Sequence, residues 1–140
     1  MRIPTLVLAL LLAACGAPEA PVTVSDVDIT KPLPGRHMSA GFFVIANNTD
    51  DAIRITHVES PQFERVEIHE STVEDGIARM RELGELLVPA RGSVTLERGG
   101  KHLMLMRPQD LGESVTLHFF SDEIPVLTIE HSFANREEDQ

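Results

Sequence analysis

Over most of the chain, apolar residues alternate with polar ones at the two-residue period of a half-buried strand. Val22 and Val24 run into Val27 and Ile29 after a slip in phase, which marks a bulge or bend. Residues 40–46 (AGFFVIA) are apolar almost throughout and predict a core strand covered on both faces. Residues 52–60 predict one strand, stopped by Pro61. Residues 63–70 (FERVEIHE) alternate clearly, Asp75-Gly76 is a strong turn signal, and residues 77–81 return from it; residues 71–75 carry no clear pattern. Residues 83–88, 93–97, 102–106, 115–120 and 126–133 complete the set of short strands. Turn residues separate them at Pro32-Leu33-Pro34-Gly35, Asn47 to Asp51 and Arg98-Gly99-Gly100. No amphipathic helix longer than about two turns emerges. The pattern predicts one all-β domain, a sandwich or a barrel.

The two ends fall outside this pattern. Arg2 precedes an apolar run over residues 5–14, which then meets Cys15. One positive charge, a short apolar stretch and small residues read as a secretory signal, and the stretch is too short to span a bilayer as a helix. Leu12-Ala13-Ala14-Cys15 resembles the bacterial lipobox, which implies cleavage before Cys15 and a lipid on that residue; the other reading is an ordinary signal peptide with an incidental cysteine. The expected organisation is a leader over 1–14, a lipidated Cys15 with a Pro-rich tether (GAPEAP) over 15–21, a folded domain over 22–133 and a flexible acidic tail over 134–140. The protein is then expected in the cell envelope, held to a membrane on its periplasmic side. Cys15 is the only cysteine, so no disulfide forms within the chain. With 12 basic and 22 acidic side chains the net charge is −10, which disfavours nucleic acid and anionic lipid headgroups as partners.

The candidate chemistry is in the placement of His and Met. Val66 and Ile68 share one strand face, and Glu67 and His69 share the other. In His102-Leu103-Met104-Leu105-Met106, the leucines share one face and His102, Met104 and Met106 the opposite one. If the leucines face the core, two methionines stand outside it with little packing reason to be there. Thioether and neutral imidazole together favour a soft ion such as Cu(I). Calcium or magnesium would call for carboxylates and carbonyls, structural zinc usually recruits cysteine, and a blue-copper electron carrier needs a thiolate. Taken singly, each residue also has a plain reading. His69 reads as an exposed strand histidine, Met80 as cover for core near a turn, His102 as a solvated loop residue, and Met104 as core if the parity is inverted.

The spacing joins these residues. His69, ten residues, Met80, twenty-one residues, His102, one residue, Met104 resembles the signature of the periplasmic PCu(A)C-type copper chaperones. The surroundings are similar as well: Glu67-Ile68-His69-Glu70, Asp75-Gly76, Met80-Arg81, Pro89-Ala90 and Gly99-Gly100-Lys101-His102-Leu103-Met104-Leu105-Met106. The resemblance covers residues 22–126. It implies an all-β, cupredoxin-like Greek-key β-sandwich with a surface Cu(I) site, and His69, Met80, His102 and Met104 as its ligands. It also implies delivery of copper toward the binuclear copper centre of cytochrome c oxidase, with a Sco-type copper protein or the oxidase copper-centre subunit as partner. The His- and Met-rich tail of some relatives is replaced here by an acidic one, so a second site there is not expected.

Around the four, Met106 reads as a neighbour of the site or as packing, and His37-Met38 as a loop pair that assists or does not. Glu67 and Glu70 flank His69, and either is placed to orient it. His57, His118 and His131 read as structural or surface residues. Gly99-Gly100 lacks the pattern of a phosphate loop and reads as the turn presenting His102. No nucleophile–base pair is evident, so transfer of an ion is expected rather than catalysis. The rival readings are a copper-buffering or tolerance lipoprotein without a dedicated client, and an interaction module that binds no metal.

Overall fold

The computed structural model describes residues 16–133, and eleven strands form within them. They are β1 (Val22–Ile29), β2 (Met38–Asn47), β3 (Ile53–Ile55), β4 (His57–Ser60), β5 (Phe63–Glu74), β6 (Ile77–Leu83), β7 (Leu86–Val88), β8 (Ser93–Leu96), β9 (Lys101–Pro108), β10 (Ser114–Ser121) and β11 (Ile124–Ser132). The leader, Cys15 and the acidic tail lie outside the described residues. The eleven strands and the packed core lie within residues 16–133.

One antiparallel sheet runs β1-β2-β9-β5-β4-β10-β11, with β6 added to β5 and β8 to β2; β3 and β7 pair separately. The sheet curls until β1 and β11, its two ends, lie against each other. The inside of the curl is the core. Ile29, Phe43, Ile45, Ile55, Leu96, Leu103, Leu105, Val115, Leu117 and Phe119 are buried there, and Phe43 meets Phe119 edge-on with centroids 5.8 Å apart. Alternation produces this: every second residue of β9 and β10 points inward. Gly41 sits where β1 and β9 crowd β2, and a Cβ there would meet Ile29, Leu103 and Leu105 at 3.4–3.6 Å. Asn47 is the buried polar residue at the end of β2. Its Nδ2 donates to the carbonyls of Asp51, Val88 and Pro89, and its Oδ1 accepts from Thr49, so the turn after β2 is tied to β7.

The structure bears out one irregularity of the pattern and departs from the pattern in three other places. The slip in β1 is a bulge between Ser25 and Asp28, with Asp26 at φ 53°, as the phase implied. Residues 40–46 are not covered equally: Gly41, Phe43 and Ile45 are buried, but Ala40, Phe42, Val44 and Ala46 are only half-buried on the other face. The strand expected over 52–60 is two, because Thr56 leaves the ladder to donate its N–H to Phe120 and to accept from Asp122; β3 then pairs with β7, and β4 with β5 and β10. Residues 71–74, which carried no pattern, continue β5, since β6 pairs with them as far as Glu74 and Ile77.

Candidate metal centre

Three adjacent strands, β9, β5 and β6, position the four candidate ligands. In the β5–β9 ladder His69 is directly opposite His102, and Glu67 is opposite Met104. In the β5–β6 ladder His69 is opposite Glu82, and Ser71 is opposite Met80. Directly opposed residues share a face, and so do residues two apart on one strand. His69, His102, Met104 and Met80 therefore all stand on the outer face. Ile68, Leu103 and Leu105 point to the other side and are buried. The parity expected for β9 is the one observed.

The two imidazoles form the centre of the cluster, with ring centroids 6.0 Å apart and planes inclined by 50°. Met104 is two residues along β9 from His102. Met80 is diagonal to His69 across the β5–β6 ladder, an offset of about 7–8 Å between strands. His102 is buried, not the solvated loop residue it resembled in isolation. Phe42 covers it at 6.4 Å, and the Arg98 guanidinium lies over the Phe42 ring at 4.6 Å while pairing with Asp28. Met80 is 55% exposed, so the cluster opens to solvent on its side.

Hydrogen bonds fix both rings. His102 Nδ1 lies 3.0 Å from the Gly100 carbonyl, which also accepts the Ser71 N–H at 3.0 Å. The turn at Gly99, with φ 79°, aims that carbonyl at both donors. His69 Nε2 lies 2.8 Å from Glu67 Oε2, and both side chains are nearly buried. His69 Nδ1 is buried without a hydrogen-bond partner among the described residues. Arg65 makes an ion-pair contact with Glu67 Oε1, outside hydrogen-bond geometry. Glu70 takes no part on this face. It bonds Arg81 at 2.8 Å and pairs with Lys101 at 3.2 Å, and these two cations, Arg81 first, hold its carboxyl below the usual carboxylate range.

Of the two flanking glutamates, only Glu67 touches His69. The two-residue period already carried that distinction, since 67 and 69 share a face and 70 does not. The cover by Phe42 and Arg98 had no signal in the sequence, because it depends on β2 lying beside β9. Met38 is opposite Met106 on the same outer face, one row beyond Met104 and Ala40, while the His37 carbonyl accepts the Arg107 N–H. His57 stacks on Phe120 at 4.7 Å, and His118 bonds Thr128; both are remote from the cluster. Among the described residues no group of three or more His, Cys, Asp or Glu side chains is placed to hold a metal ion. A metal at the imidazole pair would need the thioethers to complete its shell.

The fold is that of known copper-domain structures. The copper-bound PCuAC domain from PmoF2 is similar over 81% of this chain and 92% of that one, at 18% identity and a TM-score of 0.64. Apo-DR1885 from Deinococcus radiodurans is similar over 100% of this chain and 96% of its own, at 26% identity and a TM-score of 0.58. Its Cu(I) form, CuI-DR1885, is 22% identical over 92% of this chain and 87% of that one, with a TM-score of 0.60. The architecture is thus the all-β, cupredoxin-like one. No curated protein matches the chain. The profile of the LpqE-like family, named for a lipoprotein, matches residues 22–129, nearly the whole folded domain, and the chain belongs to that family.

Proposed function

We propose that the protein carries one Cu(I) ion on the outer face of β9, β5 and β6, held by His69, Met80, His102 and Met104, and passes it toward the binuclear copper centre of cytochrome c oxidase. The observation that carries this reading is the direct pairing of His69 with His102, flanked on the same face by the two methionines the spacing had singled out. Two imidazoles and two thioethers form a neutral, soft donor set, which favours the monovalent ion over Cu(II). The copper named for PmoF2 and for DR1885 is in keeping with it.

The mechanism is ligand exchange. Three of the donors stand on paired strands whose backs pack into the core, so they are held before the ion arrives. Met80 opens to solvent, and a partner's sulfur or imidazole enters from that side while the protein's ligands leave in turn. A Sco-type copper protein or the oxidase copper-centre subunit is the proposed recipient, and a lipid on Cys15 would keep the carrier at the membrane where that recipient sits.

Anaerobic competition of residues 16–140 against a Cu(I)-specific chromogenic chelator tests the site. The parent is expected to bind one equivalent, and Met80→Ala and Met104→Ala each to lose about tenfold or more in affinity, or at least about 1.4 kcal/mol. Binding unchanged in both variants would remove the site. Binding without transfer to an apo oxidase copper-centre domain would leave the protein a buffer.

A further inference from the structure

The two imidazoles are held by opposite nitrogens. A carbonyl can only accept, so the hydrogen of His102 is on Nδ1, facing Gly100, and the lone pair is on Nε2. A carboxylate also only accepts, so the hydrogen of neutral His69 is on Nε2, facing Glu67, and the lone pair is on Nδ1. That Nδ1 is buried and has no hydrogen-bond partner among the described residues. A buried acceptor left unpaired is costly, and such atoms in folded proteins generally have a reason.

We propose that Glu67 is a positioning residue that locks His69 as its Nε2–H tautomer, so that His69 offers Nδ1 to the ion while His102 offers Nε2. The inference rests on the copper reading above and adds to it which atom of each ring binds. The local sequence makes the lock possible. Glu67 and His69 are two apart on β5 and share its outer face, so the carboxylate reaches the ring within one strand. Arg65, two residues earlier on that face, sits against the other carboxylate oxygen and limits its swing. Glu67 also stands opposite Met104 in the β5–β9 ladder. The carboxylate is a hard donor and is already engaged, so it fits the role of holding the ring better than that of ligating a soft ion. When a cation is bound, its negative charge lies next to the ligand ring and offsets the positive charge brought into a largely buried site.

The test uses 15N-labelled residues 16–140 and two-bond 1H–15N spectra of the histidine rings at about pH 8, where an ordinary imidazole is neutral. The metal-free protein is expected to show Nε2–H for His69 and Nδ1–H for His102. Adding Cu(I), which is diamagnetic, is expected to move the resonances of His69 Nδ1 and His102 Nε2. Glu67→Ala should leave His69 in mixed tautomers, with His102 unchanged, and weaken Cu(I) binding about 10–100-fold. Glu67→Gln, whose amide oxygen still accepts from Nε2–H, should restore the single tautomer and most of the affinity. A merely structural role for Glu67 would not move one ring's tautomer and spare the other's. An Nδ1–H tautomer for His69 in the metal-free protein overturns the proposal while the chelator titration can still support the copper site. The expected tautomers with no Cu(I)-dependent shift on either ring overturn the copper reading and the assignment of Nδ1 as a ligand together.

Discussion

Gly100 serves two donors with one carbonyl: the Ser71 amide on β5 and the His102 ring on β9. The residue before it makes this possible, since Gly99 takes a positive φ of 79° that a side chain disfavours. Gly99→Val is therefore expected to cost about 1–3 kcal/mol of stability from backbone strain alone, because open space surrounds the position. It should also free the His102 ring, with weaker Cu(I) binding in the chelator assay; unchanged stability and binding would show that the turn tolerates another path. Much at this scale was readable beforehand. Leu103 and Leu105, taken as core, put Met104 on the outer face, and the period of two placed Glu67 beside His69. What could not be read was the burial of His102, which comes from Phe42 on β2, distant in sequence, with Arg98 of the turn before β9 laid over the Phe42 ring.

At the level of elements, β5 is the organiser. Its first half pairs with β4, its second half with β6, and β9 runs along its other side. Its last residues were illegible because Ser71, Thr72 and Glu74 alternate polar with polar; they are a strand only because β6 pairs with them. The division of 52–60 had left a trace, since the buried positions step from Ile55 to Val58 and break the period of two. Glu70 joins the three strands on the opposite face from the His pair, through Arg81 of β6 and Lys101 of β9. Its folded-state pKa is lowered, so its contribution to stability is present above the ordinary carboxylate pKa and is lost as pH falls through the folded value. Glu70→Gln should thus unfold at lower urea than the parent at neutral pH, and the two should converge as pH falls through the lowered folded-state value. A constant gap between them at every pH would mean that the charge contributes nothing.

The whole molecule joins a curled sheet to a short tether. Between Cys15 and the first strand stand only the residues GAPEAP, so an anchor on Cys15 would keep the domain within a few nanometres of the bilayer. The family's name for a lipoprotein agrees with such an anchor. Cys15→Ala is expected to move the protein from the membrane fraction to the soluble fraction of the envelope without changing Cu(I) affinity. Persistence in the membrane fraction would point to another means of attachment. The all-β class was legible because so many strands alternate cleanly. Their order in the sheet was not, since β9 lies between β2 and β5 through contacts that no local pattern encodes.

The β5–β6 hairpin runs beyond the start of β9, and Met80 rides on it with more than half of its surface in solvent. On the proposed site the affinity lost without Met80 would then fall on the rate at which the ion leaves. Donors rooted in the sheet would receive the ion, while the donor on the projecting arm would hold it against departure. Replacing Met80 with alanine should then shorten the residence time of Cu(I) with little change in its rate of capture, which stopped-flow exchange with a chelator would read directly. A fold that places an exposed sulfur on a projecting strand pair would give a bound ion a preferred direction of departure.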